Sequence, residues 1–126
     1  MKIFELQISK TIKLTQEDID DIVCTALEGG INYWCCEAEV VGDYLGEYAS
    51  DQISRGGKLK LYDAESDDVW ELNLDNFLKG FKLWVKEGYD QYDAVQEDGT
   101  VDCCEIDAAC ADEIIQFALF DEIVFG

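Results

Sequence analysis

Charge limits what this chain can fold into more than any motif does. Twenty-nine aspartates and glutamates stand against nine lysines and arginines, with no histidine, giving a net charge of −20 over 126 residues. The distribution is uneven. Residues 1–14 are slightly basic, with Lys2, Lys10 and Lys13 against Glu5. The last base is Lys86, and eleven acids lie between Asp90 and Glu122. A compact domain with this much uncompensated charge repels itself and loses stability. The carboxylates therefore serve either as a solubility coat or as a surface that a basic partner reads.

Low hydrophobicity with high net charge leaves a chain disordered. Only half of that condition holds here, because 48% of residues are apolar and 12% aromatic, with no proline and no low-complexity tract. Length and composition predict one folded domain, residues 1–126, with an acidic exterior. No stretch approaches the ~20 apolar residues of a membrane span. The opening Met1-Lys2-Ile3-Phe4-Glu5-Leu6 lacks the h-region of a signal peptide. The expectation is a cytoplasmic protein that avoids anionic membranes and does not bind nucleic acid directly, since both share its sign.

Periodicity predicts the elements. Residues 2–8 read as a strand, with Ile12 and Leu14 continuing it or turning back. Thr15 and Asp18 form a capping-box variant, with Glu17 and Asp18 at the positive end of the helix dipole. Ile19, Ile22, Val23, Ala26 and Leu27 then make one apolar helix face, and Gly29-Gly30 reads as its C-cap. Trp34 belongs in the core with its indole N–H bonded nearby. Glu37 to Val41 reads as strand, Asp43 to Ser54 has weak helical spacing, and Arg55-Gly56-Gly57 is a turn. Leu59 and Leu61, then Trp70, Leu72 and Leu74, alternate as a hairpin with one buried face. A helix starting near Asn73 or Asp75 buries Phe77, Leu78, Phe81 and Trp84 or Val85 and stops at Gly88. Asp107 caps a last helix to about Leu119, and Ile123 to Phe125 reads as a closing strand. Trp34, Trp70, Phe77, Phe81 and Ile115 are expected to be buried together. The order lacks strict βαβ alternation, so the predicted class is α+β, a mostly antiparallel sheet packed against about three helices.

Catalytic constellations are hard to build from these residues. Without histidine, Ser-His and Cys-His pairs are impossible within one chain. Twenty-nine acids make carboxylate pairs cheap by chance. The glycine pairs do not fit the spacing of a dinucleotide-binding turn or a P-loop. The six cysteines are Cys24, Cys35, Cys36, Cys103, Cys104 and Cys110. Two pairs are adjacent, whereas structural zinc sites usually separate paired ligands by two to four residues. Free thiols acting as small buried hydrophobes are expected. Asp90, Asp93, Glu97, Asp98 and Asp102 cluster in one loop, but without the alternate acids, sixth-position glycine and final glutamate of an EF-hand. No metal, cofactor or catalytic residue is assigned.

The acidic surface is what remains. Duplex DNA presents a negative charge every ~1.7 Å along its axis, and a folded protein can imitate it with spaced carboxylates. Two acid-dense segments, 37–51 and 90–122, carry tyrosines suited to a protein interface. The candidate partner-binding residues are Glu37, Glu39, Asp43, Tyr44 and Glu47 in the first. In the second they are Asp90, Tyr92, Asp93, Glu97, Asp98 and Asp102. Their expected partner is a basic nucleic-acid-binding protein; the sequence specifies no oligomeric state.

Thr25-Ala-Leu-Glu-Gly-Gly-Ile-Asn-Tyr-Trp34, with the ending Ile115-Gln-Phe-Ala-Leu-Phe-Asp-Glu-Ile-Val-Phe-Gly126, resembles a group of small uncharacterised proteins of phages and conjugative elements of gut-dwelling Firmicutes. The resemblance covers most of the chain and carries over no functional residue. What it implies is a context, since small accessory proteins of mobile elements often inhibit host defence. The expectation is a DNA-mimic inhibitor of a CRISPR or restriction nuclease. The alternatives are a small-molecule or nucleotide-signal sequestering protein, with Tyr33, Trp34 and the Gly29-Gly30 turn lining a pocket, and an acidic interaction module without mimicry.

Overall fold

Alternating apolar residues close the first hairpin. In the computed structural model, which describes residues 2–126, β1 (Ile3–Gln7) pairs antiparallel with β2 (Thr11–Thr15). Phe4 faces Leu14 and Leu6 faces Ile12, which puts one side of the ribbon on the core. Thr15 then starts α1 (Gln16–Thr25) by the reciprocal bonds of a capping box. The Asp18 amide donates to Thr15 Oγ1 at 3.0 Å, and the Thr15 amide donates to Asp18 Oδ2 at 2.9 Å. Ile19, Ile22, Val23 and Ala26 are buried as their spacing requires, and Leu27 is half-buried.

The reading of Gly29-Gly30 as a C-cap needs correction. The chain continues past α1 as a π-turn, Ala26–Gly30, and neither glycine takes the left-handed conformation of such a cap. Gly30 is required by proximity instead. A Cβ there would lie 2.7 Å from the carbonyl oxygen of Ala108, at the start of the last helix.

A second, three-stranded antiparallel sheet has the order β3-β4-β5, from β3 (Cys35–Val40), β4 (Leu59–Asp63) and β5 (Val69–Leu72). Leu59 and Leu61 pair with Leu72 and Trp70, so the buried face of the β4–β5 hairpin is as expected. Leu74 departs from that pattern by opening α2 (Leu74–Lys86) rather than extending the strand. The helix is capped by Asn73, whose side chain and amide exchange bonds with Asn76. The weak helical spacing over 43–54 resolves into two short 3-10 turns, Ala49–Asp51 and Ile53–Arg55.

Asp107 caps α3 (Ala108–Phe120), accepting the Cys110 amide at 2.8 Å. α3 packs on α2 so closely that a Cβ on Gly80 would overlap the backbone of Ala118. The structure is therefore α+β, but its strands form two separate antiparallel sheets rather than one.

Ile123 to Phe125 is not a strand. It is a tail whose Val124 and Phe125 amides both donate to Gln116 Oε1 at 2.8 Å. Phe125 stacks on Trp34 at a centroid distance of 4.9 Å. Of the five expected core residues, Trp34, Phe77, Phe81 and Ile115 are buried. Trp70 is half-buried, packed edge-on against Trp34 and Phe120.

Candidate functional site

The first acidic segment begins on β3, an edge strand of its sheet, from which Glu37 and Glu39 point to solvent. Charges on an exposed edge also discourage pairing with another chain. Glu39 accepts the Tyr62 hydroxyl at 2.6 Å, and that hydrogen bond is the first cause of the raised Tyr62 pKa. From Val41 to Tyr48 every residue is exposed, and Val41, Tyr44, Leu45 and Tyr48 put large apolar side chains in water.

This loop is nonetheless held firmly from beneath. Gln52 is 1% exposed; its side chain accepts the Leu45 amide at 2.8 Å and donates to the carbonyls of Leu45 and Tyr48. Asp51 Oδ2 accepts the amides of Glu47 and Tyr48, each at 3.0 Å. Asp43, Tyr44 and Glu47 are thus presented from a fixed backbone, with their own side-chain polar groups left to solvent.

The second segment uses its acids differently. Asp90, only half exposed, accepts the amides of Ala94 and Val95 with its two oxygens, at 2.8 and 3.0 Å. Asp98 accepts both the amide and the hydroxyl of Thr100, and these bonds hold its carboxyl below the usual range. Asp102 accepts the Cys104 amide and caps a short 3-10 turn, Cys103–Glu105. Asp93 sits at φ 55°, in the left-handed region. Tyr92, Asp93 and Glu97 are exposed.

The two segments do not adjoin. The 103–105 turn packs on the first turn of α1, where the Cys103 thiol donates to Asp18. The 48–50 stretch packs at the other end of the helix, beside Cys24, Leu27 and Glu28. Between them α1 and the π-turn that follows it supply acids of their own. Glu17, Asp21 and Glu28 are exposed at spacings that keep them near one face. Burial and the charges of Glu17, Asp18 and Asp20 raise the Asp21 pKa, while Cys24 is raised by burial and by Glu28. A carboxylate band therefore runs from Asp102 along α1 to Tyr48, over roughly 16 Å of helix from Glu17 to Glu28.

In the sequence this band is masked, because Glu17 and Asp18 already have a role at the helix start. The signal was the i, i+4 pair Glu17 and Asp21 in a helix without a base. Among the described residues the ion pairs engage four carboxylates. Asp20 and Asp51 meet Arg55, Glu71 meets Lys58, and Asp121 meets Lys79.

A second polar cluster lies inside the fold. Asp112, 8% exposed, accepts the Tyr33 hydroxyl at 2.6 Å, the Trp34 indole N–H at 2.8 Å and the Gln116 amide at 2.9 Å. Burial and this carboxylate push the Tyr33 hydroxyl up to about 12. The cluster ties the Tyr33-Trp34 turn and the tail to α3, so both aromatics are spent on structure. A cavity lined by residues on both sides of the Tyr33-Trp34 turn, among them Ile31, Asn32, Cys35 and Cys36, holds about 90 Å³. Ligand pockets usually begin at about 300 Å³.

Cys35 and Cys110 are buried as small hydrophobes, whereas Cys36 and Cys104 are exposed, contrary to expectation. Burial raises the thiols of Cys24, Cys35 and Cys103 and pushes Cys110 up to about 12, away from the thiolate a nucleophile needs. No family model matches this chain, and no curated protein or solved structure matches it either.

Proposed function

We propose that this chain is a non-catalytic binding protein whose carboxylates occupy the nucleic-acid groove of a basic protein, as a DNA mimic does. One observation carries the reading: Glu17, Asp21 and Glu28 are exposed between the two acid-rich segments, and among the described residues none of the three is held in an ion pair. A fixed loop with exposed Tyr44 and Tyr48 adds aromatic anchors at one end. Association should be steered by charge and should weaken steeply with salt.

The resemblance to mobile-element proteins suggests the kind of target, a CRISPR or restriction nuclease of the host. The test is capture from a bacterial lysate on immobilised protein, with duplex DNA as competitor. A mimic recovers basic nucleic-acid enzymes, releases them as salt rises and yields them to DNA. Partners that salt releases but duplex DNA does not displace would make the protein an acidic docking module instead. Recovery independent of salt would reduce the charge to a solubility coat.

A further inference from the structure

The carboxylate band ends in a cleft suited to a single side chain. Between the π-turn after α1 and the 48–50 stretch lies a cavity of about 270 Å³, lined by Cys24, Leu27, Glu28, Tyr48, Ala49 and Ser50. Most of this wall is apolar. Tyr48 is 61% exposed beside it, and Glu28 is exposed as well. The walls are set in advance, because Gln52 and Asp51 together fix the backbone of residues 45–48.

Arginine matches that combination. Its methylene stem covers apolar surface, and its planar guanidinium both stacks on an aromatic ring and meets a carboxylate in two parallel bonds. Lysine offers the stem but a compact, strongly hydrated charge that gains less from the ring. A larger cavity, about 790 Å³ beside Asp93, Glu97 and Asp98, differs because Lys10 already lines it and donates to the Gln96 carbonyl. The cleft at Glu28 is lined by no base of this chain.

Building on the reading of the protein as a partner-binding acidic surface, we propose that this cleft docks one arginine side chain of the basic partner. The stem would lie against Leu27 and Ala49, with the guanidinium at Glu28 and Tyr48. An arginine held in a prepared pocket fixes where the partner sits, which diffuse charge attraction alone does not.

The experiment is an NMR titration of the labelled protein with a short, end-capped Gly/Arg peptide, against the same peptide with lysines. The expected result is saturable binding, with shifts concentrated at Leu27, Glu28, Tyr48 and Ala49 and tighter binding of the arginine peptide. Glu28→Gln should weaken it about fivefold, the upper end for an exposed ion pair. Glu65→Gln, the same charge change in the exposed β4–β5 turn, should leave it unchanged. Equal weakening by both variants, equal affinity for the lysine peptide, shifts spread over the acidic surface, or no binding would each overturn the cleft. The broader reading is judged separately by salt-dependent capture and duplex competition.

Discussion

The two acid-rich segments look alike in composition and differ in what their carboxylates do. Over 90–102, Asp90, Asp98 and Asp102 accept backbone amides of their own loop and act chiefly as structural acceptors. Over 37–51 the loop is held by Gln52 and Asp51, which leaves Asp43 and Glu47 facing water beside exposed tyrosines. Acid density in a sequence is therefore a poor measure of the charge a partner can reach. A carboxylate that satisfies two amides keeps its charge but gives up its most accessible lone pairs and its freedom to move.

The largest effect that tests this contrast is at Asp90. Asp90→Ala strips the acceptor from two amides of buried residues and should cost about 2–3 kcal/mol in chemical denaturation. Asp90→Asn, which keeps one good acceptor, should cost about half of that. A loss below about 0.5 kcal/mol for Asp90→Ala would return this residue to the free surface.

Gln52→Ala should follow, at about 1–2 kcal/mol, because it removes the partner of the Leu45 amide and carbonyl and one of the two donors to the Tyr48 carbonyl. Hydrogen exchange should then rise over residues 44–48; unchanged protection there would mean that the loop holds itself.

Asp21 gives a smaller effect of opposite sign. Burial and the neighbouring charges raise its folded pKa, so the native state binds the proton more tightly than the unfolded chain. That contribution is complete below the ordinary carboxylate pKa of about 4 and is lost as pH rises through the elevated value. Asp21→Asn should therefore stabilise the protein at pH 7 by less than about 1 kcal/mol after solvent screening, with the gain fading as the medium is acidified. Equal gains at pH 7 and at low pH would show that charge crowding is not the cause.

The smallest change in stability belongs to the residues closest to the proposed function. The pair Asp43→Asn and Glu47→Gln should alter stability by less than about 0.5 kcal/mol. It should also reduce capture of a basic partner more than Asp93→Asn with Glu97→Gln does, although both pairs remove equal charge. Asparagine is tolerated at the left-handed φ of Asp93, so neither pair disturbs the fold. Equal losses of capture would erase the functional difference between the segments.

Much of the secondary structure was legible because its causes lie within a few residues. The Thr15–Asp18 box, the Asn73 start, the α1 face and the β4–β5 alternation depend on hydrogen bonds or side-chain periods no longer than a few turns. Errors arose where a local signal had two causes. Gly29-Gly30 read as a helix end, yet Gly30 answers to Ala108, far along the chain. The apolar run Ile123 to Phe125 reads as a strand, yet its Val124 and Phe125 amides are taken by the side chain of Gln116. Of the acids between the two segments, Glu17 is legible in the sequence only as part of the helix start, and Asp21 and Glu28 carry no signal of their own.

By itself the sequence determined that the chain folds around an apolar core with an acidic exterior, and where its helices and the β4–β5 hairpin begin. Those are matters of composition, period and capping. Only the tertiary structure decided that the strands form two sheets, that Asp112 is an internal acceptor for Tyr33, Trp34 and Gln116, and that Asp90 serves its own loop while Asp43 faces solvent. An aspartate has the same chemistry wherever it stands in the chain. Which donors come within about 3 Å of it is settled by contacts between residues as much as 79 positions apart.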